Sequence, residues 1–573
     1  MKCMKKSSVL HIPLSEYAYG LDEETVVIRL RTAHGDLKKC TLYFGDRSCR
    51  VTPVIFTEQA MTCVQETLLY DYYEAKLIKP YKRLCYYFRL ESEDDWTYYY
   101  GDCFEKNLVD DRSEYFQLPF NHRADIVTPP EWVKDAVVYN IFPDSFASRR
   151  REISGQPTEK TWRDVEVKGK LGGTIRGIIE NLDYIADIGF NAIYLNPIFT
   201  AGEYHKYDLL DYYSIDPCFG TNDDFAELVD TCHRKGLRVI IDGVFNHCGW
   251  NFFAFNDVVA RGEQSPYKDW FYGLRFPVVK PDDWETIPTY DCFGYERMMP
   301  KLNLDNPETA DYFCQVGRFW AEKYHIDGWR LDVASEVNDG FWRKFRSAVK
   351  AVNPDILIIG EVWESARHWL NGDMFDSAMN YDLRKHCMRF FGNSHVDAAS
   401  FHERIVDMLY RYREQTVFAQ LNLLDSHDVS RFLSVCGENA DVMKAAVAFQ
   451  MMMPGIPSVF YGDEQGISGV VEDDYRSPMP WKNMTEDFSG FYKRAIQVRK
   501  SEKAVRNGWY RKTHAEAGSY VYGFERYLDR ESVHCIINMG TEPIEIAVAP
   551  SEILLDNNYC ERFLKPHGVL IYK

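Results

Sequence analysis

The first 125 residues carry short runs in which apolar and polar positions alternate. Clear examples are residues 24–31 and 84–90, which are rich in valine, isoleucine, tyrosine and phenylalanine and are separated by Gly-, Asp- and Asn-containing turns. Alternation with a period of two is typical of strands that bury one face. We therefore predict an N-terminal β-sandwich over residues 1–125.

From about residue 126 the pattern changes to short apolar runs that alternate with longer segments of helical periodicity. The runs lie at 137–142, 192–195, 239–242, 328–332, 356–361, 378–381, 418–424 and 458–461. Eight such alternations predict a parallel (β/α)8 TIM barrel over residues 126–503. Residues 248–306, after the third strand, are too long for an ordinary connection, and predict a folded excursion over the mouth of the barrel.

The remaining residues, 504–573, return to short β runs and predict a small antiparallel β domain. The chain has 573 residues, and a prior of about 150 residues per domain gives three to four domains. The predicted fold class is therefore α/β, with a central barrel and a β domain on either side of it in the sequence.

Charge and composition narrow the function classes. The chain has 67 basic and 86 acidic residues, a formal net charge of −19, which argues against a nucleic-acid partner because such proteins need a basic face. No apolar run approaches the ~18 residues that cross a membrane, and we expect no membrane partner. The 15 cysteines show no CxxC pair and no zinc-ligand spacing. With no signal peptide apparent, they predict reduced thiols and a cytoplasmic location.

Four of the predicted strands end in clusters of polar residues: DGVFNH at 242–247, GWRLDVASEV at 328–337, GEVW at 360–363 and LLDSHD at 423–428. Because the C-terminal strand ends of a barrel converge on one face, we expect Asp332, Glu361 and Asp428 to meet there. A helix cap would explain any single acid, but four strands ending in this way favour a functional site. No HExxH or related spacing supports a catalytic metal.

Converging carboxylates suit the hydrolysis of glycosidic bonds. This reaction needs an acid that protonates the leaving oxygen and a carboxylate that traps or stabilises the oxocarbenium-like centre. Arg330 lies two residues before Asp332, hence on the same face of the strand. We expect its guanidinium group to hold that carboxylate ionised and oriented.

The four segments resemble the four signature regions of the α-amylase family, glycoside hydrolase family 13. The segment MPKLN at 299–303 resembles an extra region of its neopullulanase, cyclomaltodextrinase and maltogenic amylase subgroup. The resemblance implies Asp332 as nucleophile, Glu361 as general acid/base and Asp428 as stabiliser of the transition state. It implies that Tyr207 stacks on glucose and that Trp363 receives the leaving-side sugar. The full set of substrate-binding residues is Tyr207, Asp242, His247, Arg330, Trp363, His427, Glu472 and Arg476.

The sequence differs from the family pattern at two places, and each difference leads to a prediction. Arg149, Arg150 and Arg151 stand where relatives often place calcium-binding Asn and Asp, whereas Ca²⁺ prefers carboxylate and carbonyl oxygens. We therefore predict that this calcium site is absent and that the protein needs no cofactor. Glu472 stands where relatives usually pair an Asp with an Arg four residues later, here Arg476. The longer acid is expected to shift the non-reducing-end boundary of the substrate site.

The resemblance implies a retaining hydrolase of α-1,4-glucosidic bonds in cyclodextrins, maltooligosaccharides and pullulan, with transglycosylation. Two alternatives stay open: an α-glucosidase or α-1,6-acting glucan hydrolase, and a non-catalytic α-glucan-binding protein. The resemblance also implies that residues 1–125 form a glucan-binding or dimerisation domain, and that the protein is a homodimer joined through it.

Overall fold

Two antiparallel sheets form the N-terminal domain of the computed structural model, which describes residues 4–283, 285–392, 396–547 and 550–573. One sheet contains Ala18–Gly20, Thr25–Ala33, Thr62–Glu66 and Tyr70–Ile78. The other contains Lys39–Asp46, Thr57–Ala60, Leu84–Glu91, Trp96–Tyr100, Cys103–Glu105 and Phe116–Leu118. Apolar side chains from both sheets, among them Ile28, Leu42 and Phe88, share one buried cluster. The predicted β-sandwich is confirmed.

Eight parallel strands close into a barrel in which neighbours in sequence are neighbours in space. They are β1 Val138–Ile141, β2 Ala192–Leu195, β3 Arg238–Gly243, β4 Gly328–Leu331, β5 Leu357–Gly360, β6 Ser377–Asn380, β7 Leu421–Leu423 and β8 Ile456–Phe460. Asp242 pairs with Arg330 and Leu331 pairs with Gly360 in the register of β3, β4 and β5. The C-terminal ends of these three strands are therefore level, and the predicted TIM barrel is confirmed.

Helices return the chain from each strand to the next. The main ones are Ile175–Glu180, Leu182–Ile188, Asn222–Arg234, Pro307–Tyr324, Asp339–Lys350, Tyr381–Cys387, Ala398–Tyr410, Glu414–Ala419, Ala440–Met452 and Glu486–Ser501. Side chains cap the starts of several of them: Thr221 and Asp224 form a capping box, and Asn306 accepts two backbone N–H bonds ahead of Pro307. The predicted strand at 418–424 is partly wrong, because Phe418 lies in the helix Glu414–Ala419 and β7 begins at Leu421. An apolar run alone does not separate a buried helix from a strand.

The segment between β3 and β4 folds as the predicted excursion. It contains the helix Phe253–Arg261 and the antiparallel pair Cys292–Phe293 and Glu296–Pro300. A bridge between His247 and Lys301 joins its end to the polar segment that follows β3. Two further hairpins, Thr158–Trp162 with Val165–Gly169 and Phe199–Ala201 with Leu209–Ile215, follow β1 and β2.

The C-terminal domain is one antiparallel sheet of six strands. They are Trp509–His514, Val521–Leu528, Glu531–Asn538, Ile544–Glu545, Ile553–Cys560 and Phe563–Tyr572. The buried Arg526 side chain donates to the carbonyls of Met452 and Gly508, which attaches the sheet to the helix before β8. Within the described ranges, no helix is long and apolar enough to span a bilayer.

Candidate active site

A fully buried arginine organises the ends of β3, β4 and β5. Nη1 of Arg330 donates to both carboxylate oxygens of Asp242 at 3.0 Å and to Oδ1 of Asp332 at 2.9 Å. Its Nη2 lies 3.0 Å from Oε1 of Glu361. The strand register brings these residues together, since Asp242 is the direct partner of Arg330 and the backbone N–H of Glu361 donates to Leu331. One guanidinium group therefore joins the carboxylates of three neighbouring strands.

The pKa of Asp332 differs from the expectation that Arg330 would keep this carboxyl group ionised. Burial, together with the nearby Glu361, raises the pKa of the Asp332 carboxyl well above its usual range, although Arg330 acts in the opposite direction. The arginine orients Asp332, but it does not offset the cost of burying several carboxylates together. The site consequently retains a proton at a pH where an exposed aspartic acid would have lost it.

Asp428 lies in a different electrostatic environment. Its side chain is 29% exposed, and its Oδ2 lies 3.0 Å from Nε2 of His427, while Nη2 of Arg476 lies 3.5 Å from Oδ1. Burial opposes ionisation here, but His427, Arg330 and Arg476 outweigh it and lower the pKa of Asp428 to about 2. Asp428 is therefore a stable anion, whereas Asp332 shares its surroundings with other carboxyl groups.

Tyr207 and His427 form a wall beside these carboxylates. Their rings are nearly parallel, with centroids 5.5 Å apart, and the Tyr207 hydroxyl contacts Nε2 of His427. The same hydroxyl donates to Oδ2 of Asp242 at 3.2 Å. The structure thus links Tyr207 to both Asp242 and His427, while the stacking of a sugar on its ring stays a prediction.

One ring nitrogen of His247 is free to bind a ligand. The residue is buried, its ring stacks on Phe293 of the excursion with centroids 4.9 Å apart, and its Nε2 has no hydrogen-bond partner. Burial lowers the pKa of His247 to about 3, so the ring is neutral. A buried nitrogen without a partner is costly unless a ligand hydroxyl satisfies it. Lys301, from the MPKLN segment, contacts the preceding residue Asn246.

Trp363 lies next to Glu361 on the other side of the cluster. Its side chain is 41% exposed, and one face of its ring stacks on Tyr381 with centroids 4.0 Å apart and planes 9° from parallel. Its Nε1 donates to Oε1 of Glu361 at 3.1 Å. The ring is held in place and still partly open to solvent, as a sugar platform requires.

Glu472 and Arg476 lie at the opposite end, beside Asp428 and His427. Arg476 donates to the His427 carbonyl at 2.8 Å and to Oε1 of Glu472 at 2.6 Å. The hydroxyl of Tyr204 contacts both Glu472 and Arg476. These three side chains form one connected group beside Asp428 and His427, while the substrate boundary assigned to Glu472 stays a prediction.

Several residues at the site were not predicted from the sequence. Tyr194 donates to Asp242 at 2.7 Å, and Asn196 bonds to Nδ1 of His427 at 2.8 Å. Both lie at the end of β2, so the rule that strand ends build the site could have found them. Phe293 and Tyr204 lie in connecting segments without a periodic signal, and only the fold brings them to the site.

Metal ligands are sparse in the parts of the chain that the structure describes. Their one group of three candidate ligands whose atoms lie within 4.8 Å of one another is Cys63, Glu66 and Asp71, in the N-terminal domain. The loop of Arg149, Arg150 and Arg151 is tied down by protein groups instead: the side chains of Asn181 and Glu180 accept backbone N–H bonds from it. The absence of the calcium site stays a prediction.

With the geometry established, the chain can be compared with known proteins. Residues 140–517 match the alpha amylase catalytic domain, and residues 4–122 match the alpha amylase N-terminal ig-like domain. The chain belongs to the α-amylase family. It is 38% identical to a cyclomaltodextrinase of Geobacillus thermopakistaniensis over 99% of each chain. It is 39% identical to neopullulanase 2 of Thermoactinomyces vulgaris over 93% of this chain and 91% of that protein.

Further relatives of this α-amylase family member agree in architecture. An intracellular maltogenic amylase of Bacillus subtilis is 36% identical over 97% of this chain and 95% of that protein. A solved cyclomaltodextrinase structure superposes with a TM-score of 0.89 at 34% identity, covering 99% of this chain and 100% of the other. The protein is therefore a glycoside hydrolase, and it belongs to the subgroup of cyclomaltodextrinases, neopullulanases and maltogenic amylases.

Proposed function

We propose that this protein is a retaining hydrolase of α-1,4-glucosidic bonds in cyclodextrins, maltooligosaccharides and pullulan, with transglycosylation as a side reaction. The observation that carries the proposal is the guanidinium group of Arg330, which contacts the carboxyl groups of Asp332 and Glu361 at 2.9 and 3.0 Å. Two acids held at adjoining strand ends by one arginine supply the pair that retaining glycosidases use. The names of the relatives support the substrate class.

In the proposed reaction, Glu361 gives a proton to the glycosidic oxygen while Asp332 attacks the anomeric carbon. The carbon–oxygen bond breaks, its electron pair stays with the departing sugar, and a covalent glycosyl–Asp332 ester forms. Glu361 then takes a proton from water, which hydrolyses the ester and restores Asp332. If a sugar hydroxyl replaces water in this step, the product is a longer glucan.

The neighbouring residues take supporting roles. Asp428, with its pKa lowered to about 2, keeps a negative charge next to the positive charge that develops on the sugar. His247 and His427 bind hydroxyl groups, and Tyr207 offers its ring to the sugar at the cleaved bond. Trp363 lies on the leaving side next to Glu361, and Glu472 with Arg476 limits the other end.

The alternatives differ in the bond that is cut or in whether any bond is cut. An α-glucosidase or an α-1,6-acting hydrolase would use the same three carboxylates, so the substrate panel decides between them and the leading proposal. A non-catalytic α-glucan-binding protein would have no need of the three acids, and Asp332, Glu361 and Asp428 are all present.

We further propose a cytoplasmic homodimer joined through the N-terminal domain, with an α-glucan oligosaccharide as substrate, no nucleic-acid or membrane partner and no cofactor. The location is supported by the 14 cysteines of the described residues, which are free thiols, and by the relatives named intracellular. Light scattering on the full chain and on a variant beginning at Thr128 tests the dimer. An unchanged dimer after deletion would place the interface elsewhere.

The function is tested by separate incubation with β-cyclodextrin, pullulan and starch, followed by product analysis. Glu361→Gln should lower turnover by about 10²–10⁴-fold and leave glucan binding in place, because it removes only the transferable proton. The control is Glu364→Gln, three residues further along, where the side chain is exposed. Folded wild-type protein that turns over none of the three glucans would refute the enzyme proposal.

A further inference from the structure

The geometry points to Trp363 as a positioning residue for the general acid, beyond its expected use as a sugar platform. This inference rests on the proposed function of Glu361. The two carboxyl oxygens of Glu361 have different partners. Oε1 accepts the indole N–H of Trp363 at 3.1 Å and lies 3.0 Å from Nη2 of Arg330. Oε2 accepts the backbone N–H of Val333 at 2.8 Å.

This asymmetry determines which oxygen carries the proton. A hydroxyl at Oε1 would face a guanidinium cation and a second N–H donor, so the proton is disfavoured there. Oε2 faces one neutral amide and can accept that bond while donating its own proton. Trp363 and Arg330 therefore keep Oε1 as the accepting oxygen and leave the transferable proton on Oε2. In the transfer, the Oε2–H bond breaks, a bond to the leaving oxygen forms, and the negative charge that remains is stabilised at Oε1.

The indole is fixed well enough for this task. Tyr381 stacks on one face with centroids 4.0 Å apart, and the Nζ of Lys385 donates to the Trp363 carbonyl at 2.6 Å. The ring is nevertheless 41% exposed. One side chain thus contacts the acid through its N–H group and offers ring surface to the leaving-side sugar. Occupation of the leaving-side site and orientation of the acid are consequently coupled.

The test separates the N–H group from the ring. Trp363→Phe keeps an aromatic surface and removes the donor. The substrates are 4-nitrophenyl α-maltoside, whose leaving group departs without a proton, and 4-methylphenyl α-maltoside, whose leaving group needs one. Both aryl rings occupy the same place beside residue 363, so a pure stacking role changes both values of kcat/KM equally. We expect the loss of kcat/KM for the methylphenyl substrate to exceed the loss for the nitrophenyl substrate by about 5-fold or more.

Trp369→Phe is the matched control, because this tryptophan lies six residues further on and its buried N–H group has no hydrogen-bond partner. It should leave the ratio of the two kcat/KM values unchanged. Activity of Trp363→Phe on the nitrophenyl substrate shows that the variant is folded. Equal losses on both substrates, or no loss on either, would overturn the inference. Wild-type protein inactive on both substrates would instead refute the proposed function.

Discussion

Two fully buried arginines, Arg330 and Arg431, lie among carboxylates at the same end of the barrel, and their surroundings differ. Arg330 donates through Nη1 to Asp242 and Asp332, and its Nη2 lies 3.0 Å from Oε1 of Glu361. Arg431 divides its N–H groups between one carboxylate, Asp463 at 2.8 Å, and the backbone carbonyls of Tyr461 and Tyr475. The partners of Arg330 are carboxylate side chains that could react, whereas two of the three partners of Arg431 are backbone carbonyls.

The carboxyl groups around the two arginines differ in access as well. Asp425 and Asp463 are each 3% exposed, and burial together with Asp425 raises the pKa of Asp463 well above its usual range. Around Arg330, Asp332 and Glu361 are almost as buried, at 6% and 5% exposed, but the Asp428 side chain beside them is 29% exposed and Trp363 is 41% exposed. The acids that contact the two arginines are thus similarly buried, and the Arg330 cluster differs in having the open Asp428 carboxylate and Trp363 ring beside it.

The largest predicted effect separates the two clusters by rate. Asp332→Asn should lower kcat on a maltooligosaccharide by on the order of 10⁴-fold or more, because the amide cannot form the glycosyl ester. Asp463→Asn should keep kcat within about 10-fold, since it changes a closed structural pair. Steady-state kinetics on both purified variants provides the measurement. Similar losses of kcat in the two variants would contradict the assignment of the Arg330 cluster to catalysis and of the Arg431 cluster to structure.

Asp332→Asn should also change stability. Although it lowers the rate, it should make the folded protein more stable. The folded pKa of Asp332 is raised, so its ionisation costs stability once the pH exceeds the unfolded value of about 3.9. Asp332→Asn removes that cost. The melting temperature should rise by about 2–4 °C at pH 8, and the gain should disappear as the pH falls below about 4. A gain that grows toward low pH would contradict the assigned direction.

The next effect concerns the closed cluster. Arg431→Met removes the cation beside Asp463 and should lower the free energy of unfolding by about 3–5 kcal/mol, because a buried acid then loses its partner. Denaturant unfolding followed by fluorescence measures the change. Arg530→Met, at an exposed arginine, should stay within about 0.5 kcal/mol. Adding Asp463→Asn to Arg431→Met should recover part of the loss, and no recovery would break the proposed pairing.

The convergence of the strand-end carboxylates could be predicted from the sequence, but the difference between the two arginine clusters could not. A period of two places Arg330 and Asp332 on one strand face, and the barrel rule brings strand ends together. The segment LLDSHD, however, contains both Asp425, which is closed off, and Asp428, which is open to the cleft. Only the path of the chain after β7 separates them, and no local pattern encodes that path.

Contacts between segments that are distant in the sequence could not be predicted either. The stack of Trp363 on Tyr381 joins the ends of β5 and β6, and the stack of His247 on Phe293 depends on how the excursion folds back. Such contacts are set by tertiary packing rather than by propensity. The error at 418–424 has a related origin, because an apolar run buried on all sides shows no period that separates helix from strand.

The smallest predicted effect extends the comparison to a third buried cation. Lys206 pairs with Asp216 at 2.9 Å, with both side chains fully buried, and the loop of three arginines is held by Asn181 and Glu180. This region resembles the Arg431 cluster, because the chain supplies the positive charge itself. Excess EDTA should therefore shift the melting temperature by less than about 1 °C, and added CaCl₂ should not raise it, since a bound ion would stabilise the folded state by mass action. A fall of several degrees with EDTA that CaCl₂ reverses would show that a bound cation stabilises the fold and would overturn the prediction of a missing calcium site.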